Sequence, residues 1–270
     1  MPRLPRQRLR GFEKFAVPLL EQLNSRPVAK SLIQHTLNEF NARWIMAAMS
    51  PVLQVYNPDV ITRLDAPRGL LLVANHLSFF DMYVAASWMQ RNTDLVHRVY
   101  FPVRANYFYD RPAGMLINLA ISGGSMWPPV FRDSDRRDLN DAGMAQLRQT
   151  LGAGAIIGFH PEGQRNKSMD PWTLAPHRPG VGRLILDVHP DVAILPYFII
   201  GLSNRFDREI RRGYLPVGQR GTPVRMHFGT PSTAGDLQPL GDAARITDTL
   251  MNRVASLAAT DRSMGPWASL

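Results

Sequence analysis

The sequence predicts an α/β fold: a mixed, largely parallel sheet covered by helices and preceded by a two-helix hairpin. From about residue 60 onward, short apolar runs alternate with helical patterns, which is typical of parallel or mixed sheets. The runs lack the alternation of half-exposed strands, so they are predicted to be buried on both faces. A chain of 270 residues with 45% hydrophobic content can bury a core of this kind.

Residues 1–58 are predicted to form the hairpin, and residues 59–270 the α/β domain. Apolar residues at spacings of three and four indicate the first helix: Phe12, Phe15, Leu19 and Leu23. The same spacing indicates the second: Ile33, Leu37, Phe40, Trp44 and Ala48. The hairpin either packs on the main domain through these stripes or contacts a membrane surface with anionic lipids. Contact with such lipids is favoured by the basic residues near the N-terminus: Arg3, Arg6, Arg8, Arg10 and Lys14.

Within the α/β domain, strands are predicted at residues 70–74, 99–103, 155–159, 192–200 and 224–228. Helices are predicted at residues 81–90, 138–151, 181–188 and 242–259. Residues 205–225 are rich in arginine and glycine, and we expect them to form an exposed basic loop.

Charge and composition narrow the possible partners. The net charge of +9 predicts acidic partners, but no nucleic-acid partner is expected, because the basic residues are scattered and no recognisable module interleaves them with aromatics. The absence of cysteine excludes disulfides and thiolate chemistry. No apolar run approaches the ~20 residues of a membrane span, and the N-terminus lacks a signal-peptide pattern. The protein is therefore predicted to be peripheral, on the cytoplasmic side of the membrane.

Candidate catalytic residues follow the first predicted strand, in the stretch ANHLSFFD at residues 74–81. Ligands of α/β sheets gather at the carboxyl ends of strands, which is where His76 lies. The interval of five residues to Asp81 does not place both on one helix face, so a turn must intervene. Ser78 and Asp81 form a helix-start signature. Asp81 is either only a capping carboxylate or also orients His76 as a general base.

A second cluster follows another predicted strand, in the stretch HPEGQRNK at residues 160–167. Pro161 and Gly163 are turn residues, but a turn with only a structural role does not require Arg165 and Lys167 beside Glu162. Two cations and exposed backbone N–H groups predict a phosphate site. No metal site is predicted, because no histidine set has the spacing of metal ligands.

Together these stretches resemble the glycerolipid acyltransferases of the PlsC type, the 1-acylglycerol-3-phosphate acyltransferases. NHLSFFD at residues 75–81 matches the N-H-x-S-x-x-D block of that family, and FHPEGQRN at residues 159–166 is similar to its F-P-E-G-T-R-S block with one residue inserted. ILPY at residues 194–197 and FGTP at residues 228–231 are similar to two weaker blocks. The resemblance covers roughly residues 65–235.

One block departs from the family pattern. The family has G-x-x-F-I-x-R, whereas this chain has GGSMWPPVFR at residues 123–132, with a longer spacing and two prolines. Arg132 is the expected counterpart of the arginine near the acceptor phosphate, and Arg136 or Arg137 are alternatives. The departure bears on the identity of the acceptor more than on the reaction.

The resemblance implies an O-acyltransferase in phospholipid synthesis that needs no cofactor. His76 acts as general base and is oriented by Asp81. Arg165, Arg132 and Lys167 bind the acceptor phosphate, in a site shaped by Glu162 and Gly163. Acyl-CoA or an acylated acyl carrier protein is the donor, and a lysophosphatidic acid-like lipid the acceptor. The alternatives are another acceptor, such as a lysophospholipid or a lyso-ornithine lipid, a hydrolase, or a non-catalytic basic membrane-binding protein.

Overall fold

The computed structural model of the protein describes residues 3–95 and 98–265. The strands are β1 (Leu53–Tyr56), β2 (Leu70–Ala74), β3 (Val99–Tyr100), β4 (Val103–Arg104), β5 (Pro129–Val130), β6 (Ile156–Phe159), β7 (Ala193–Ile200), β8 (Val224–Phe228) and β9 (Ser232–Thr233). The helices are α1 (Glu13–Asn24), α2 (Pro27–Met49), α3 (Asp59–Thr62), α4 (Asp81–Asn92), α5 (Ala105–Phe108), α6 (Pro112–Ser122), α7 (Arg137–Gly152), α8 (Gly180–Leu186), α9 (Phe206–Gly213), α10 (Ala234–Leu237) and α11 (Ala243–Ser263). Short 3₁₀ helices lie at Arg6–Arg8, Ser134–Arg136 and Gln238–Leu240.

The main sheet has the order β1-β8-β7-β2-β6-β3, with β9 paired to β7. The central strand β2 is parallel to both neighbours, β6 and β7. The β1–β8 and β3–β6 pairs are also parallel, whereas β7 is antiparallel to β8 and β9. Strands β4 and β5 form a separate parallel pair. The prediction of a mixed, largely parallel sheet covered by helices is therefore confirmed.

Apolar runs form the centre of the sheet because both of its faces are covered. Every residue of β2 and β7 is buried. Gly158 in β6 allows α4 to approach closely, since a Cβ at this position would lie 2.3 Å from the Met82 side chain. This close approach places the start of α4 over the carboxyl ends of β2 and β6.

The predicted strand at residues 99–103 is interrupted. Pro102 has no N–H to extend a ladder, and the chain changes partners around it. Val99 and Tyr100 pair with β6, whereas Val103 and Arg104 pair with β5. The single predicted strand is thus two short strands in different sheets.

Helix α2 turns polar side chains toward the rest of the protein. Lys30 and Gln34 are completely buried, and Asn41 is nearly so. Lys30 Nζ donates to the Gly123 carbonyl at 2.5 Å, and Asn41 Nδ2 donates to the Ile121 carbonyl at 2.7 Å. Gln34 Nε2 reaches the Val99 carbonyl at 2.7 Å. Because helix ends carry carbonyls without intrahelical partners, this polar face satisfies the C-terminal end of α6.

The apolar side chains of the same region point outward. On α2, Val28 is 82% exposed, Leu32 67% and Phe40 69%. Phe15 on α1 and Leu116 on α6 are also exposed. Among the residues of the predicted stripes, Phe15, Leu19 and Phe40 are exposed, so the prediction that the stripes pack on the main domain is wrong for these three. Other stripe residues pack against the core clusters: Phe12, Leu23 and Trp44, with Ala48 buried. We call the outward residues the exposed apolar face: Phe15, Leu19, Val28, Leu32, Phe40, Leu116 and Ile117.

The N-terminal segment is continuous with the core. Leu4, Leu9 and Leu20 share a hydrophobic cluster with Leu71 and Val73 of β2. Two of the N-terminal basic residues bind acidic partners in the main domain: Arg8 with Asp138, and Arg10 with Asp133 and Asp135. Among the helices of the described residues, none combines the length and the apolar character that a membrane span requires.

Residues 205–225 are only in part the exposed basic loop that the composition predicts, because Arg205, Arg208 and Arg211 are exposed whereas other residues are buried. They begin with helix α9 and end at the start of β8. Arg212 and Arg225 are both buried. These two arginines can be buried because each has carboxylate partners: Arg212 pairs with Glu209, and Arg225 with Asp261 on α11.

The substitution Lys30→Met should remove a pH-dependent contribution to the free energy of unfolding. Burial lowers the pKa of Lys30 to about 7, whereas the pKa in the unfolded chain is ~10.4. Between these values the unfolded chain binds a proton that the folded chain does not, so this contribution to stability rises with pH. Urea unfolding near pH 7 and at about pH 9.5 measures it. Equal pH slopes in the wild type and in Lys30→Met would contradict this role of Lys30.

Candidate active site

The site begins where β2 ends, at a buried asparagine. Asn75 Nδ2 donates to the Ile199 carbonyl at 2.8 Å, and Asn75 Oδ1 accepts from the Ile199 N–H at 2.9 Å. The side-chain amide thus continues the β2–β7 ladder in place of a peptide group. It fixes the point at which the backbone leaves the sheet, so that His76 lies at the carboxyl edge.

The turn after His76 is tied down by two side chains. Ser78 Oγ donates to the Ser203 carbonyl at 2.6 Å and accepts from the Phe80 N–H at 3.2 Å. Asp81 Oδ2 accepts from the N–H groups of Leu77 at 2.8 Å and Ser78 at 2.7 Å. Asp81 is the first residue of α4, as the helix-start signature predicts, but Ser78 contacts Phe80 rather than Asp81 through its hydroxyl.

The same turn brings the predicted pair together. Asp81 Oδ2 lies 3.3 Å from His76 Nδ1. Asp81 is completely enclosed, whereas the His76 side chain keeps 19% of its surface accessible. The capping and the orienting interpretations of Asp81 therefore describe one arrangement. With Nδ1 directed at the carboxylate, Nε2 is the nitrogen directed away from it.

Burial and a nearby cation keep the imidazole neutral. Burial, and then the charge of Arg165, lower the pKa of His76 to about 4. Burial raises the pKa of Asp81 to about 7, and His160, the N–H groups of Ser78 and Leu77, and Arg165 oppose this rise. His76 is thus an unprotonated base over the neutral pH range, and Asp81 becomes a full carboxylate only toward its upper part.

A second histidine, which the sequence analysis did not single out, packs on the first. The rings of His160 and His76 stack with centroids 4.3 Å apart and planes 13° apart. This contact follows from the register, because Val73 of β2 is aligned with Phe159 of β6. Burial, and then His76, lower the pKa of His160 to about 3, so both rings are neutral. The residue inserted between the Phe and the Pro of the second block was the signal in the sequence.

The turn after β6 lies next to His76. The His76 carbonyl accepts from the Asn166 N–H at 2.6 Å, which ties the two loops together. Gly163 has φ +63°, a backbone conformation that favours glycine. The Arg165 guanidinium lies 3.8 Å from the centre of the Phe79 ring, and Arg132 Nη2 donates to the Gly163 carbonyl at 3.0 Å. The cations Arg165 and Arg132 therefore meet at one turn.

The remaining predicted residues have different surroundings. Glu162 is buried, and its carboxyl oxygens accept no hydrogen bond of standard geometry. Burial raises the pKa of Glu162 to about 8, with backbone groups of Ala175 and His76 acting against the rise. Lys167 and Arg137 are exposed. Arg136, by contrast, is buried between Glu13 and Asp133 and is committed to those carboxylates.

The described residues contain no group of three or more His, Asp or Glu side chains arranged to hold a metal ion. One further cation lies near the turn: a Cβ on Gly163 would contact Arg178 Cδ at 3.9 Å, and Arg178 N–H donates to the Pro161 carbonyl at 2.9 Å. Arg178 was not predicted from the sequence, because it lies outside both motifs.

The class of protein follows from a family comparison. The Acyltransferase family model matches residues 52–200, which is more than half of the chain. This range contains β2, β6 and β7 with the His76 and Arg165 turns. The chain belongs to the acyltransferase family, and it is an enzyme of that class. A comparison with curated protein sequences finds no match.

A solved structure with a similar fold is the crystal structure of PlsC from Thermotoga maritima, a 1-acyl-sn-glycerophosphate (LPA) acyltransferase. The TM-score is 0.54 at 15% sequence identity, and the match covers 94% of this chain and 89% of that chain. The predicted resemblance to glycerolipid acyltransferases is thereby confirmed for family and fold.

The substitution Arg165→Gln should move the acid limb of the pH–rate profile to higher pH. The charge of Arg165 lowers the pKa of both His76 and Asp81, so its removal raises both. If His76 acts as a base oriented by Asp81, the active state needs an unprotonated imidazole and an ionised carboxyl, and in the variant this state is lost at a higher pH as the medium is acidified. The profile of kcat/KM for acyl transfer measures the shift. Lys167→Gln is the control and should leave the limb in place; identical limbs in Arg165→Gln and the wild type would refute the assignment.

Proposed function

We propose that this enzyme transfers a fatty acyl group from an acyl thioester to the hydroxyl of a phosphate-bearing lyso-lipid resembling lysophosphatidic acid. The proposal rests on one observation, a neutral His76 imidazole in contact with Asp81. The Arg165 guanidinium lies beside it, packed on Phe79 of the same turn. A neutral imidazole is what deprotonates a hydroxyl, and a guanidinium is what binds a phosphate. The activity of the PlsC relative supports the same acceptor class.

The reaction requires no acyl-enzyme. His76 Nε2 accepts the proton of the acceptor hydroxyl while the oxygen attacks the thioester carbonyl carbon. Asp81 stabilises the resulting imidazolium through Nδ1–H. The tetrahedral intermediate then collapses, the carbon–sulfur bond breaks, and the imidazolium returns its proton to the leaving thiolate. The products are an ester and a free thiol, so no cofactor takes part.

Arg165, Arg132 and Lys167 are proposed to bind the acceptor phosphate. Arg165 and Arg132 already meet at the Gly163 turn, and Lys167 is exposed two residues further along. Glu162 fits beside an anion because burial holds it protonated near neutral pH, so that it brings no repelling charge. Gly163 shapes the turn through its left-handed backbone.

The exposed apolar face supports peripheral binding to a membrane, which we propose to be the cytoplasmic membrane surface. Seven apolar residues of α1, α2 and α6 point outward, whereas polar residues of α2 point inward. A water-facing helix has the reverse arrangement. Apolar side chains of this kind enter the boundary between headgroups and acyl chains, and the exposed cations Arg3, Arg6 and Lys14 favour anionic lipids there.

The substitutions His76→Ala and Asp81→Asn should each lower kcat by about 10²- to 10⁴-fold, the usual contribution of general base catalysis. The first removes the base, and the second removes the charge that stabilises its cation. Both variants should fold, because the Asn75 and Ser78 contacts remain. The assay follows a labelled acyl thioester by mass spectrometry, with a panel of lyso-lipids and both CoA and carrier-protein donors.

The products of this assay decide between the candidate functions. Acylated lysophosphatidic acid supports the proposal. Acylation of a different lyso-lipid alone would move the acceptor to another class, free fatty acid would indicate a hydrolase, and no turnover would indicate a binding protein. Turnover of the wild-type rate in His76→Ala would overturn the catalytic assignment.

Replacing Leu32 and Phe40 together by glutamine should weaken binding to vesicles that contain phosphatidylglycerol by about 10- to 100-fold. Each side chain contributes about 1.5–3 kcal/mol when fully buried, and here the burial is partial. Glutamine preserves helix propensity, so the fold should be unchanged by circular dichroism. The matched control is Met169→Gln, which changes a fully exposed apolar residue outside the face. Equal vesicle binding by the double variant and the wild type would refute membrane contact through this face.

A further inference from the structure

A cavity lined by arginines lies beside the catalytic turn, outside the residues that the family match covers. Its volume is about 220 Å³, and it is formed by α9 and the loop that follows. The arginines that line it are Arg205, Arg208, Arg211, Arg212 and Arg220. Five guanidinium groups around one concavity form a site for an anion with several negative charges.

Two of the arginines hold the wall of the cavity in place. Arg212 is buried, donates to the carbonyls of Thr222 at 3.0 Å and Gly201 at 3.1 Å, and pairs with Glu209 at 2.9 Å. Its Nε is enclosed and has no hydrogen-bond partner among the described residues. Arg220 Nε donates to the Leu215 carbonyl at 2.8 Å. Hydrogen bonds and an ion pair of Arg212 and Arg220 therefore fix the wall of the cavity.

The charge inside the cavity is not balanced by the protein. Asp207 pairs with Arg205 at 2.7 Å, and Glu209 pairs with Arg212. Within the described part of the chain, Arg208 and Arg211 have no hydrogen bond or ion pair, and Arg220 bonds only to backbone carbonyls. Three cations thus lack a counter-charge, and an anionic ligand would supply it.

The order of the strands places this cavity and the Arg165 turn on opposite sides of His76. Strand β2 carries His76 and lies between β6, which leads to Arg165, and β7, which leads to Arg205. The β7 loop contacts the catalytic turn directly, because Ser203 accepts from Ser78 and the Asn204 side chain accepts from the Phe79 N–H at 3.2 Å. Two cationic sites therefore flank one base, as a reaction between two anionic substrates requires.

We propose that the α9 arginine cavity binds the phosphate groups of the acyl donor, coenzyme A. The inference rests on the proposed function, in which the cluster at Arg165 takes the acceptor phosphate and leaves the second site to the donor. The guanidinium groups that line the cavity match phosphate groups, and a volume of about 220 Å³ has room for them.

The position of the cavity also argues against a lipid headgroup. Helix α9 packs on the C-terminal end of α2, where a Cβ on Gly213 would lie 1.7 Å from the Ala48 carbonyl oxygen. The last large exposed apolar residue of α2 is Phe40, about 12 Å away along the helix at 1.5 Å per residue. The cavity is thus displaced from the exposed apolar face, toward a soluble ligand.

The test is calorimetric titration of the full chain with unacylated coenzyme A. Replacing Arg208 and Arg211 together by glutamine should weaken this binding by about 10- to 100-fold, since each lost charge-assisted contact is worth about tenfold or less. Arg245→Gln, on the exposed side of α11, removes one charge outside the cavity and should bind coenzyme A as the wild type does. In turnover, the double variant should raise KM for acyl-CoA and leave KM for the lyso-lipid unchanged.

Other sources of phosphate or acid are separated by parallel arms. Unchanged affinity for coenzyme A in the double variant overturns the inference, as does a loss confined to phosphatidylglycerol vesicles or to acylated carrier protein. Direct titration needs no catalysis, so it also remains informative in His76→Ala, which should bind coenzyme A normally. Absence of acyl transfer with intact, arginine-dependent binding would therefore contradict the proposed function and leave the ligand of the cavity assigned.

Discussion

The active-site geometry depends on how β2 ends. Asn75 exchanges two hydrogen bonds with Ile199, and this pair fixes the first residue beyond the ladder. Net, such bonds are worth about 1 kcal/mol each, but a buried donor or acceptor left without its partner costs about 1–3 kcal/mol. If the chain left the sheet at another residue, these buried groups would lack partners, so the chain leaves the sheet at Asn75. Ser78 then fixes the turn to the β7 loop, and Asp81 closes the turn on His76. Asn75, Ser78 and Asp81 of the N-H-x-S-x-x-D block thus each fix a different part of the turn. Of the four named positions of the block, only His76 remains partly accessible.

The inverted polarity of the N-terminal helices has a local cause. Helix α6 ends at Gly123 in a left-handed conformation, and the chain then turns sharply at Gly124 and Ser125. Such an end exposes carbonyls that need donors. The amine of Lys30 and the amide of Asn41 provide these donors, while Gln34 donates to the Val99 carbonyl of β3, so α2 presents these polar side chains inward. Val28, Leu32 and Phe40 are then left on the surface, whereas apolar residues on the inward side, such as Ile45 and Met49, are buried. An exposed apolar patch of this kind is typical of an interaction surface.

The sequence predicted those parts of the molecule in which one residue property decides the outcome. Apolar runs identified β2 and β7, because burial on both faces demands them. His76, Asp81 and Arg165 were predicted from short motifs, because the residues of each motif lie within one turn of the chain. The inward face of α2 could not be predicted, since it depends on carbonyls of α6 about 90 residues away in sequence. The His160 stack depends on the register of β2 against β6, and burial of Arg212 depends on Glu209 and on carbonyls of Gly201 and Thr222. Periodicity carries none of this information.

The charges around His76 make the strength of the base depend on the acceptor. In the free enzyme, Arg165 is the largest influence after burial that lowers the pKa of the imidazole. In the proposed function, a phosphate bound to that guanidinium would cancel part of its field, so the pKa of His76 would rise when the acceptor binds. Asp81, 3.3 Å from Nδ1, is the carboxyl group placed to stabilise the imidazolium of the proposed reaction. Without an acceptor the imidazole is a weak base, which disfavours activation of water against the thioester. In the proposed function, the position of the cation beside the base would thus favour transfer over hydrolysis.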